Sequence, residues 1–134
     1  MVAGRRVYLD ASALVKLVMS EPETPALMAY LGDASFVLSS RLSHVEVRRA
    51  VARVAEPGDV KHATSTLEGL QLIELDAAIA DVAGSAAPVS LRSLDAIHLA
   101  SAMAVMDEIE AFVTYDLRLA DAAREAGLTV VGPA

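Results

Sequence analysis

Val7-Tyr8-Leu9-Asp10-Ala11-Ser12-Ala13-Leu14-Val15 joins two patterns. Arg5 to Leu9 is a short run of strand type, and Ser12 to Met19 carries apolar residues at helical spacing. An acid, Asp10, stands at the joint. In an open parallel α/β sheet the pocket lies just outside the carboxyl ends of the strands. A strand that ends on Asp and turns into a helix therefore delivers a carboxylate to the place where such folds do chemistry.

The same alternation continues outward from this joint. Ser20-Glu21-Pro22-Glu23-Thr24-Pro25 breaks the first helix, and Glu23, Thr24 and Pro25 open a second through Tyr30, with Gly32 past its end. Ser35 to Ser39 is the next strand. Arg41 to Ala55 is a helix with Val47, Ala50, Val51 and Val54 as one apolar stripe. Glu56-Pro57-Gly58-Asp59 is a turn in which Asp59 can cap a helix to about Leu70. Gln71 to Leu75 reads as a strand, Asp76 to Ser85 as a helix and 87–92 as a loop. Ser93 can cap a long helix to about Met106. Glu110 to Thr114 is a strand, Leu117 to Ala126 a helix ended by Gly127, and Leu128 to Val131 the last strand. Strands alternating with helices predict an α/β fold, one three-layer domain over 1–134 with a five-stranded parallel sheet.

Composition agrees with that architecture. Hydrophobic residues make up 54% of the 134, and the aromatics are only Phe36, Phe112 and three tyrosines. A core of Ala, Val, Leu and Ile suits a sheet covered on both faces. With no cysteine, disulfides, thiolate metal sites and cysteine nucleophiles are excluded. No apolar run reaches the ~18–20 residues of a membrane span, and the N-terminus lacks a signal-peptide layout. The expectation is a cytoplasmic protein with no membrane partner. The net charge of -7 argues against a general nucleic-acid binder. It leaves room for an enzyme that meets nucleic acid through metal ions and a few arginines, and nine of the eleven basic residues are Arg.

Four acids stand out: Asp10, Glu46, Asp95 and Asp116. Each has an ordinary explanation taken singly. Asp10 and Asp116 fall where a helix cap is expected, Asp95 suits the first turn of a helix, and Glu46 can pair with Arg49 at i+3. Asp76 also follows a strand and opens a helix, so strand-end Asp is not diagnostic by itself. Arrangement separates the four. If the first strand is central with the fourth beside it, Asp10 and Asp116 become neighbours, and the helix starts at Glu46 and Asp95 can reach the same end. Converging carboxylates repel each other and call for protonation or a cation. An oxygen-only site points to a hard ion, Mg²⁺ or Mn²⁺.

Three segments carry a resemblance: Tyr8-Leu9-Asp10-Ala11-Ser12-Ala13-Leu14-Val15-Lys16, Leu91-Arg92-Ser93-Leu94-Asp95-Ala96-Ile97-His98-Leu99-Ala100 and Val113-Thr114-Tyr115-Asp116-Leu117-Arg118-Leu119. In order and over essentially the whole chain, they resemble the PIN-domain family, and within it the VapC-type toxins of bacterial toxin–antitoxin pairs. The resemblance implies a metal-dependent endoribonuclease, usually a homodimer, held inactive by a small VapB-type antitoxin. By motif position the family's acidic quartet falls on Asp10, Glu46, Asp95 and Asp116, with Ser12 and Thr114 at accessory polar positions. Asp10, Asp95 and Asp116 would then hold the metal, with Glu46 placing a water or a second ion. Arg92 and Arg118 lie close enough in sequence to reach an RNA substrate, and surface solubility is the plainer role for Arg118. Arg48, Arg49 and Arg53 near Glu46 either pair with acids or face RNA. His98 lies at i+3 from Asp95; it can partner the acids, though a packed core histidine is the simpler expectation. Met103 and Met106 read as packing surface or dimer surface.

Other classes fit less well. A receiver domain needs a strand-end Lys, which neither Lys16 nor Lys61 provides, and a haloacid-dehalogenase-type phosphatase needs an acid where Ser12 stands. A PIN-like binding module with weak or no nuclease activity is the rival from another class, and an intact quartet argues against it.

Overall fold

The computed structural model describes residues 4–32, 35–54 and 56–134. Among these, β1 (Arg5–Leu9) lies at the centre of a parallel sheet. β2 (Ser35–Ser40) and then β3 (Gln71–Ile73) extend it on one side, β4 (Ala111–Val113) and then β5 (Val130–Val131) on the other. In the order β3-β2-β1-β4-β5 the first strand is central and the fourth lies beside it, the condition under which Asp10 and Asp116 become neighbours.

Alternation along β1 builds two cores. Val7 and Leu9 face one side, packing with Leu14 of α1 (Ala11–Val18), Leu27 of α2 (Thr24–Leu31), Val47 and Val51 of α3 (Ser43–Val54), and Leu67 of α4 (Pro57–Glu68). Tyr8 faces the other, with Phe112, Leu99 of α6 (Ser93–Ala104) and Leu119 of α7 (Leu117–Glu125). Period-two side-chain direction puts consecutive strand residues on opposite faces, and all three of these β1 residues are fully buried. Helices therefore cover both faces, and α5 (Ala77–Gly84) precedes α6 on the second side.

Register sets the site. Val7, Tyr8 and Leu9 pair with Ala111, Phe112 and Val113. Asp10 and Thr114 are thus the next residues at the carboxyl end of two adjacent strands, and the Asp10 N–H donates to the Val113 carbonyl at 3.2 Å.

Several boundaries differ from expectation. β3, β4 and β5 are shorter than the apolar runs that mark them, although hydrogen bonds continue past β4: Glu110 N–H donates to Arg6 O at 2.8 Å and Thr114 N–H to Val131 O at 3.2 Å. The helix expected over 41–55 begins at Ser43, because Arg41 is held to β3 by its N–H on Ile73 O at 2.9 Å. Its expected end at Ala55 lies outside the described residues. Val54 does not join the stripe; it is 70% exposed, whereas Val47 and Val51 are buried. Ser93 does not cap α6, since Arg92 occupies the cap position. Asp59 sits inside the first turn of α4, where its Oδ2 accepts from the Glu56 N–H at 3.2 Å. Met106 packs against the second core, and Met103 is partly exposed.

Candidate metal centre

Asp10 leaves β1 and caps α1. Its Oδ1 accepts from Ala13 N–H at 3.0 Å and from Ser12 Oγ at 2.6 Å, and its Oδ2 accepts from Thr114 Oγ1 at 2.6 Å. The two hydroxyls also serve as acceptors. Ser12 Oγ takes the Tyr115 N–H at 3.0 Å, and Thr114 Oγ1 takes the Asp116 N–H at 3.1 Å. One web thus ties the ends of β1 and β4 and fixes the backbone that carries Asp116. Asp116 in turn caps α7, its Oδ1 accepting from Arg118 N–H at 2.9 Å and Leu119 N–H at 3.1 Å.

Burial dominates the electrostatics of Asp10. It is only 3% exposed, and desolvation raises its pKa against the opposing hydrogen bonds from Ser12, Thr114 and Ala13. Asp95, half-buried in the first turn of α6, is also raised, by partial burial first and then by the charge of Asp116, with Asp10 and Glu46 adding to it. His98 acts in the opposite sense. All four acids therefore share one electrostatic neighbourhood.

Glu46 does not pair with Arg49. Its Oε1 lies 2.8 Å from Nε2 of His98, which is buried. Nδ1 of the same ring lies 2.8 Å from the Tyr8 hydroxyl. Both expectations for His98 hold together: it is a packed histidine, and it touches one of the acids. Tyr8 is the participant that local patterning misses. The available signal is its spacing, two residues before Asp10 on a strand and so on the same face.

Asp95 and Asp116 line a groove of about 390 Å³ together with Arg92, Arg118, Leu91 and Leu117. Both arginines thus stand on the groove, including Arg118, for which solubility is the plainer sequence expectation. Arg48, Arg49 and Arg53 are exposed and make no ion pair among the described residues. A larger hollow of about 460 Å³ between α5 and α6 has no ionisable side chain on its walls, so size does not mark the reactive end.

Among the described residues no three His, Asp or Glu side chains form a ready coordination cluster. Both oxygens of Asp10, Oδ1 of Asp116 and Oε1 of Glu46 are engaged by protein donors. Both oxygens of Asp95 and the second oxygens of Asp116 and Glu46 accept no hydrogen bond among the described residues. The donor set is all oxygen and its charges repel, which fits a hard divalent cation held partly through waters.

Comparison with known proteins gives the family. The PIN domain family model matches residues 7–125. The chain belongs to the PIN-domain family. Mycobacterium tuberculosis proteins named ribonuclease VapC47 and ribonuclease VapC46 are similar to it at 43% and 41% identity, each covering 95% of this chain and 96% and 97% of their own. Among solved structures, M. tuberculosis VapC20, described as a sarcin-ricin loop cleaving toxin, superposes with TM-score 0.71 at 16% identity over 95% of this chain and 99% of that one. Rickettsia felis VapBC2, solved on a promoter DNA fragment, gives TM-score 0.71 at 14% identity over 96% and 99%. These two likenesses bear on the PIN fold alone.

Proposed function

We propose that this chain is a single-domain, VapC-type toxin, an Mg²⁺- or Mn²⁺-dependent endoribonuclease of the cytoplasm. One observation carries the reading: the ends of β1 and β4 are stitched together so that Asp10 and Asp116 both act electrostatically on Asp95, and Asp95 and Asp116 line a groove with two arginines. The ribonuclease names of relatives at 43% and 41% identity support the same class of reaction.

Asp95 and Asp116 would hold the cation, with Asp10 behind them. When bound, a divalent ion supplies an activated water and offsets charge on the attacked phosphate. Ser12 and Thr114 keep Asp10 in one rotamer by donating to its two oxygens. Arg92 and Arg118 offer planar, multidentate donors to the phosphates of a strand lying in the groove. Glu46 orients a water with its outer oxygen. In-line attack by water breaks the P–O3′ bond, leaving a 5′-phosphate, and needs no RNA 2′-hydroxyl. A VapB-type antitoxin would silence a homodimer of this chain; an antitoxin Arg set among the carboxylates takes the place of the cation's charge, and the net -7 favours a basic peptide.

The test is incubation of pure protein with tRNAs and structured RNAs in Mg²⁺, Mn²⁺ or EDTA, with the ends mapped. Cleavage is expected with metal only, leaving 5′-phosphates, and lost in Asp10→Asn. Cleavage by Asp10→Asn at the wild-type rate contradicts the site. A wild type silent under every condition favours the binding module instead.

A further inference from the structure

The second core holds a polar chain one layer in from the acids. Tyr8 stands two residues before Asp10 on β1, and His98 three residues after Asp95 on α6. Tyr8 is fully buried and its ring stacks on Phe112, with centroids 5.3 Å apart and planes at 9°. His98, 1% exposed, meets the edge of Tyr8 at 5.9 Å and 81°. The imidazole is thus packed edge-on against a stacked, buried ring. From there Nδ1 meets the Tyr8 hydroxyl and Nε2 meets Glu46 Oε1, both at 2.8 Å. Among the described residues no other hydrogen bond joins α3 to α6.

We infer that His98 is a positioning residue that acts through Glu46, locking one carboxylate oxygen so that the other is aimed at the site. The inference rests on the ribonuclease reading. Donor and acceptor roles follow from the chemistry of the three groups. An ionised Glu46 only accepts, so Nε2 carries the hydrogen. With that tautomer Nδ1 is the acceptor for the Tyr8 O–H. The phenol is fully buried, and its O–H finds its ring partner at that nitrogen. The Ser39 and Ser101 hydroxyls also face the phenol.

A glutamate has three rotatable bonds, and freedom at a water-placing group is costly because small misplacements slow reaction steeply. A histidine held on both nitrogens removes that freedom. It is a packing residue by position and an orienting one by contact. Loss of such an outer partner typically costs about 10–100-fold in activity.

The test separates the two ring nitrogens. His98→Gln can still reach Glu46 from the Nε2 position, whereas His98→Asn keeps only the Nδ1 side. On a cleaved RNA, His98→Asn is expected to lower kcat about 10–100-fold with KM little changed, and His98→Gln to recover most of it. In a Glu46→Ala background, His98→Asn should cost nothing further. Imidazole ¹⁵N shifts of wild type should report hydrogen on Nε2, and this lock should loosen in Glu46→Ala. Tyr8→Phe keeps the ring stack and drops only the O–H; it reads the same chain with a smaller loss if His98→Asn does not fold. The inference is overturned if wild type cleaves and His98→Asn matches it. An equal loss in both Glu46 backgrounds, or hydrogen on Nδ1, also overturns it. Silence of both wild type and Asp10→Asn is a different result: it removes the ribonuclease reading, and this inference with it.

Discussion

At the scale of single residues, Asp95 shows what the site does to its own stability. Its carboxyl is raised by partial burial and by Asp116, Asp10 and Glu46, so folding favours its protonated form. The sign follows by linkage: the penalty is absent below the ordinary carboxylate range, roughly pH 4, and present in full above the raised folded value. In EDTA, Asp95→Asn should be more stable than wild type at neutral pH by a few degrees of melting temperature. That gap should close as pH falls through the carboxylate range. Excess Mn²⁺ should narrow it at neutral pH by binding folded wild type. Urea unfolding across pH checks this, and a gap that does not vary with pH contradicts it. The four acids are legible as residues, but the Glu46 partner is not. His98 lies 52 positions away on a helix that covers the other face of the sheet, and only the tertiary fold brings the ring within reach.

At the scale of elements, two aspartates open helices in the same way, and the proposed site takes only one of them. Asp76 Oδ1 accepts from Ile79 N–H at 2.9 Å, as Asp116 Oδ1 does from Arg118 and Leu119. Asp76→Ala should cost about 1 kcal/mol and leave RNA cleavage unchanged. Asp116→Asn keeps a capping oxygen, so melting should barely move while cleavage is lost. Asp116→Ala should lose both. Melting curves with single-substrate cleavage rates check the three variants; a loss of activity in Asp76→Ala that matches Asp116→Asn would contradict the assignment. Local pattern cannot distinguish these caps, because both are Asp after an apolar run. Strand order does: β4 lies beside β1, and β3 lies at the far edge. The same limit explains the misses. Helical spacing puts Val54 on the stripe of Val47 and Val51 without showing that the core ends before it. Ser93 has the right chemistry for a cap one residue past the position that caps.

At the scale of the molecule, composition and alternation make the layered α/β fold legible, because a sheet buried on both faces needs runs such as Val7-Tyr8-Leu9. Pairing of β1 with β4 is a contact across more than 100 positions, which no local pattern in the sequence reports. The whole chain carries a charge of -7, and several of those charges gather at one end of the sheet with more carboxylate oxygens than protein donors. That excess is the reason to expect a cation there. Calorimetric titration of Mn²⁺ into wild type and into Asp10→Asn/Asp95→Asn tests it most directly. A saturable binding heat is expected for wild type and is absent in the double variant. Superimposable isotherms, or a flat one for wild type, would contradict it.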